Sequence, residues 1–132
     1  MLDVLFSSYY LYRGFLQNHY MQIDQSINGN VAVLKLMGDL DSFSSNYLKE
    51  QFGKIFSGNK FEIVVDLTNV EFVDSAGLGQ LVNALKLCIH HHGNLVLVGA
   101  NSSINDLLRI TKLDTVFRVY EKVEEAVLGF SA

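Results

Sequence analysis

Residues 72 to 79 read Phe72-Val73-Asp74-Ser75-Ala76-Gly77-Leu78-Gly79: an acid, a hydroxyl and small residues set between two apolar runs. Ser75 is the side chain there with chemistry to offer. The run before it, Ile63-Val64-Val65-Asp66-Leu67, has the near-continuous apolar character of a central strand. After it, Leu78, Leu81, Val82, Leu85 and Cys88 recur at the three- and four-residue spacing of one helix face. Ser75 therefore falls in the first turn of a helix, where backbone N–H groups lack intrahelical partners and the dipole favours negative charge. A phosphate on that hydroxyl would be well accommodated. The plainer reading of Asp74-Ser75 is a helix N-cap, with the glycines serving close backbone packing. The two are compatible if Asp74 caps the helix while Ser75 points outward.

Other chemistries fit poorly. Gly77-Leu78-Gly79 continues to Val82 where a dinucleotide fingerprint needs a third glycine, and no Walker lysine follows a glycine loop. Ser75 lacks the G-x-S-x-G of a hydrolase elbow, because Val73 stands where its first glycine is needed. His90-His91-His92 suggests a metal, but successive helical side chains point about 100° apart and do not converge on one ion. Those histidines read as solvated groups at a helix C-terminus, favoured by its dipole when protonated. No cofactor and no metal is expected, and the chain reads as a non-enzyme.

The chain has 132 residues, 49% hydrophobic and 18% charged, with no proline and a net charge of −4. That describes one compact domain rather than a disordered or multidomain chain. No basic run is present, so nucleic acid is not an expected partner. Cys88 is the single cysteine and lies on the apolar helix face, which reads as a core position.

The elements that must position Ser75 are regular. Gln22 to Ile27 and Val31 to Met37 form an antiparallel pair about Asn28-Gly29-Asn30. Gly38-Asp39-Leu40-Asp41 breaks the second strand, and Ser42 to Ser45 offer N-caps for a helix with Leu48, Phe52, Ile55 and Phe56 inward, ended by Gly58-Asn59. The strand Phe61 to Leu67 precedes the Ser75 helix, which runs to about His91, and Leu95 to Val98 completes a βαβ crossover. Asn101-Ser102-Ser103 caps a helix with Ile104, Leu107, Leu108 and Thr111 inward. Val116 to Tyr120 reads as a last strand, and Glu121 to Leu128 as a closing helix. The sum is an α/β domain: a mixed sheet of four to five strands packed with about four helices.

Three motifs in this order, Gly38-Asp39-Leu40-Asp41, Val65-Asp66-Leu67 leading to Phe72 through Gly79, and Leu108-Arg109-Ile110-Thr111-Lys112-Leu113-Asp114-Thr115-Val116-Phe117, carry a resemblance. From about Met21 to Leu128 the chain resembles a STAS domain of the anti-sigma-factor antagonist family. The resemblance implies a phospho-switch: Ser75 is phosphorylated by an anti-sigma serine kinase of the GHKL type, the unphosphorylated form binds that kinase, and a serine phosphatase resets it. It also implies a cytoplasmic protein in transcription regulation. Ala76 stands where the family often has a second serine, which leaves one hydroxyl in the motif. The implied partner surface combines Asp39, Asp41, Ser42, Asp74 and Ser75 with Gly77, Gln80 and Asn83 of the following helix. For Asp39 and Asp41 a strand-ending turn is equally ordinary. The alternative is a constitutive STAS scaffold in a larger signalling or transport assembly, and a weak homodimer is a further expectation.

Residues 1–20 form an N-terminal extension to a STAS domain spanning 21–132. They carry Leu2, Leu5, Phe6, Tyr9, Arg13 and Leu16 at helical spacing and four of the six tyrosines. Three readings stand: a weakly packed appendage, an amphipathic helix that docks on a partner or second copy, or translation starting at Met21. The segment lacks a signal peptide's basic start and is too polar to span a membrane.

Overall fold

The structure, a computed structural model, describes residues 21–131; the expectations for residues 1–20 lie outside it. Strands β1 (Met21–Asn28) and β2 (Val31–Gly38) pair antiparallel, from Met21 opposite Gly38 to Asn28 opposite Val31. Gly29, at φ 64, supplies the left-handed residue that so short a turn needs. The chain then alternates: α1 (Ser45–Ser57), β3 (Glu62–Asn69), α2 (Ser75–His90), β4 (Asn94–Val98), α3 (Ser102–Ile110), β5 (Val119–Tyr120) and α4 (Val123–Ser131). Strand order in the sheet follows the sequence, β1 to β5, with every neighbour after the hairpin parallel.

Period-two alternation divides the sheet into two apolar faces. On one face Leu34, Leu36, Ile63, Val65, Leu67, Leu95 and Leu97 pack in a cluster with Leu48, Phe52 and Ile55 of α1, Leu81 and Leu85 of α2, and Ile104 and Leu108 of α3. On the other, Val31, Val33, Val64, Val96 and Val98 cluster with Ala126, Val123 and Val127 of α4. β3 contributes to both clusters, which is why its sequence is a continuous apolar run. Among the described residues no helix is long and apolar enough to cross a membrane.

Three expectations need correcting. The Val116–Tyr120 strand shrinks to Val119–Tyr120, because Leu113–Thr115 forms a 3₁₀ turn and Phe117 turns into the main core. Thr111 is exposed: α3 ends at Ile110, and the Thr111 hydroxyl donates to the Leu107 carbonyl at 2.7 Å. No serine side chain caps α1. Ser44 at its N-cap is buried, and its hydroxyl donates instead to the Asp39 carbonyl at 2.8 Å. At its other end α1 stops at Ser57 with Gly58 as C-cap, as expected, and Asn59 takes the left-handed conformation at φ 57.

Cys88 is fully buried, and desolvation pushes its thiol from the ordinary value near 9 up to about 12. At pH 8 the folded protein should resist thiol reagents and react only after denaturation, which a colorimetric thiol assay with and without urea will show. The folded thiol holds its proton more tightly than the unfolded one. Its contribution to stability is therefore complete below about pH 9 and is lost as pH rises toward about 12.

Candidate functional site

Because β2 and β3 are parallel neighbours, the loops that follow them leave the same end of the sheet. The two loops join. Leu40 N–H donates to the Phe72 carbonyl at 2.9 Å, Asp74 N–H donates to the Leu40 carbonyl at 3.0 Å, and Leu40 and Val73 form a parallel bridge. Leu40 and Val73 are buried, so the junction is fixed by packing as well as by hydrogen bonds. A third loop is tied in by Asn101, whose side-chain amide donates to the Glu71 carbonyl at 3.1 Å while its oxygen caps α3 through Ile104 N–H at 2.8 Å.

Asp74 is the centre of this arrangement. Its backbone is extended, at φ −98 and ψ −176, and one carboxylate oxygen caps α2 by accepting from Gly77 N–H at 2.9 Å. The other accepts from Ser42 N–H at 3.1 Å, across to the β2–α1 loop. One side chain thus satisfies an orphan helix donor and a loop donor together. Replacing it by alanine removes both bonds. Asp74→Ala is expected to lower stability by about 1–2 kcal/mol, read by urea denaturation.

Ser75 is the first residue of α2. It is exposed, and its hydroxyl makes no hydrogen bond among the described residues. No acidic residue stands in the first turn of α2 itself, but the Asp74 carboxylate at its N-cap already takes the Gly77 N–H, so a negative group on Ser75 would share the helix start with that acid.

The remaining predicted residues separate by role. Asp41 is taken up by its own turn: one carboxylate oxygen accepts from Phe43 N–H at 2.9 Å and from Ser44 N–H at 3.1 Å. Asp39 and Ser42 are exposed beside it. Farther along α2, Asn83 is exposed and Gln80 is half-buried, on the outer side of the helix.

Gly77 does not belong with that outer face. It is buried against Leu40, and a Cβ there would lie 2.5 Å from Leu40 Cγ and 2.6 Å from the Leu40 carbonyl oxygen. It permits the close approach of loop and helix.

Sequence reasoning passed over two large apolar side chains at this end, Phe43 and Phe72, which are 76% and 50% exposed. The available signal was a phenylalanine within each polar loop. The histidines lie at the far end of α2. The His91 ring stacks on Phe61 with centroids 3.9 Å apart, and its Nδ1 lies 3.0 Å from the Leu87 carbonyl oxygen. No group of three or more potential metal ligands occurs among the described residues.

A hairpin-led mixed sheet with an acid-capped serine helix after its central strand defines a STAS domain. The model of that family matches residues 22–126, and the chain belongs to it. Its similarity runs to anti-sigma factor antagonists. An anti-sigma-B factor antagonist of Staphylococcus epidermidis is 32% identical over 79% of this chain and 96% of its own. The crystal structure of a Thermotoga maritima protein superimposes with a TM-score of 0.77 at 25% identity, covering 83% of this chain and 95% of that one. The Bacillus cell fate determinant SpoIIAA in its phosphorylated form shares the fold, with a TM-score of 0.66 at 19% identity over 81% of this chain and 96% of that one.

Proposed function

We propose that this protein is an anti-sigma-factor antagonist working as a phospho-switch, with Ser75 as the phosphoacceptor. The observation that carries this reading is the placement of Ser75: an exposed hydroxyl at the start of α2, immediately after the acid that ties the helix to the β2–α1 loop. A relative of the same fold is known in a phosphorylated form. The partner is an anti-sigma serine kinase of the GHKL type, and a serine phosphatase restores the starting state. Because the kinase draws on ATP, the exchange takes place in the cytoplasm.

In the reaction the Ser75 oxygen forms a bond to the γ-phosphorus of ATP, the bond from that phosphorus to the β–γ bridging oxygen breaks, and ADP leaves. The hydroxyl proton passes to a base that the kinase supplies. Ser75 is substrate here, not nucleophilic catalyst, and this domain provides no catalytic group.

The phosphate brings about −1.5 to −2 charge at neutral pH. It would stand among Asp39, Asp41 and Asp74, on a surface that also presents Phe72. A partner that covers Ser75 when it is a neutral hydroxyl would have to desolvate this charge, and an acidic contact would be repelled. No refolding of the domain is required. A constitutive scaffold would bind its partner regardless of Ser75.

Incubation with ATP and the serine kinases of the same genome, followed by intact mass measurement, tests the acceptor. One phosphate on the wild-type chain and none on Ser75→Ala is the expected result. A phosphate retained by Ser75→Ala places the acceptor elsewhere and refutes the assignment.

A further inference from the structure

The register of β1 fixes where residues 1–20 join the domain. Met21 pairs with Gly38 and is buried, so the preceding chain meets the fold beside Asp39, at the same end as Ser75. Both α1 and α2 start at that end and run away from it. Between them lies a groove of about 330 Å³ with Phe52, Phe56 and Leu87 in its wall and Lys49, Gln80 and Asn83 among its polar lining.

We propose that this groove is the docking surface for residues 1–20 of the same chain, seated through Leu2, Leu5, Phe6 and Tyr9. Three observations single out this occupant. Twenty residues span about 30 Å as a helix and up to about 70 Å extended, whereas the 13 residues of α1 extend about 20 Å. The whole groove is therefore within reach of a chain entering at its upper end. The segment carries an apolar stripe that needs cover, and the groove offers aromatic and aliphatic walls. The charges also match. Arg13 is the one lysine or arginine in residues 1–20, and the loops 38–44 and 70–74 carry Asp39, Asp41, Glu71 and Asp74 with no basic residue.

Seating concerns the free protein and does not depend on the phospho-switch. Its consequence does: Gln80 and Asn83 belong to the face assigned above to the kinase, so the seated segment and the kinase would compete for it.

The test uses the full chain with p-benzoylphenylalanine in place of Phe6, irradiated in dilute solution without kinase and analysed by gel and peptide mass spectrometry. The expected product has monomer mass and joins residue 6 to a peptide from 45–57 or 75–90. Leu87 is 39% exposed, so Leu87→Asp should leave the fold intact while reducing that product severalfold. A product of dimer mass would mean that a second copy is the occupant and would overturn the proposal. So would links to the α4 face, the absence of any product, or a yield indifferent to Leu87→Asp. None of these outcomes involves phosphorylation, so failure here leaves the assignment of Ser75 standing.

Discussion

Ser75→Ala should bind the anti-sigma kinase within about threefold of the unphosphorylated wild type, whereas phosphorylated wild type should bind about a hundredfold more weakly, a difference of about 3 kcal/mol. The asymmetry follows from the surroundings of the hydroxyl. Ser75 is exposed and its oxygen makes no hydrogen bond among the described residues, so removing it disturbs nothing that holds the loops together. Adding a phosphate places charge beside Asp74, whose carboxylate already bonds to Gly77 and Ser42 N–H. Ser75→Asp should fall between the two, at about a tenfold loss, because a single carboxylate carries less charge and fewer acceptor oxygens than a phosphate. Isothermal titration of the three variants against one kinase gives this order directly. Equal affinities for Ser75→Ala and Ser75→Asp would favour the scaffold reading.

The second large effect belongs to Gly77. Gly77→Ala drives a methyl group into Leu40, whose backbone bonds to both Phe72 and Asp74, so relief of the clash must separate loop from helix. We expect a loss of about 3 kcal/mol in stability, measured by urea denaturation, and slower phosphorylation of Ser75 because the acceptor is displaced. Gly79 is the informative control. A Cβ at Gly79 meets nothing within 4 Å, so Gly79→Ala should instead stabilise the helix by up to about 1 kcal/mol. If the two substitutions behave alike, the close approach at Leu40 is not what requires glycine.

Much of this arrangement was legible in the sequence because it is periodic or local. The hairpin announced itself through Asn28-Gly29-Asn30, β3 through its unbroken apolar run, and α2 through the spacing from Leu78 to Cys88. The cap at Asp74 was legible for the same reason, since donor and acceptor are three residues apart. What escaped was set by contacts distant in sequence. The bond from Ser42 to Asp74 spans 32 residues, and no pattern within either loop announces it.

Gly77 looked like part of an outward face because helical spacing gives angle but not the position of a neighbouring loop. Leu40, 37 positions earlier in the chain, is what buries it. Val116 to Tyr120 carries the β-branched and aromatic residues of a strand, but Lys112 in the left-handed conformation ends the preceding helix and Phe117 is drawn into the core. Tertiary packing overrode local propensity there. Ser44 failed as a side-chain cap through competition, because its hydroxyl donates to the Asp39 carbonyl and accepts from Asp41 N–H.

The central claim is that a phosphate on Ser75 controls partner binding, and the most direct measurement separates the two forms of the wild-type protein. The kinase that modifies Ser75 is immobilised, and the affinities of the unphosphorylated and the singly phosphorylated chain are compared, before and after phosphatase treatment. The account predicts about a hundredfold weaker binding of the phosphorylated form, restored in full when the phosphate is removed. Equal affinity of the two forms would contradict it.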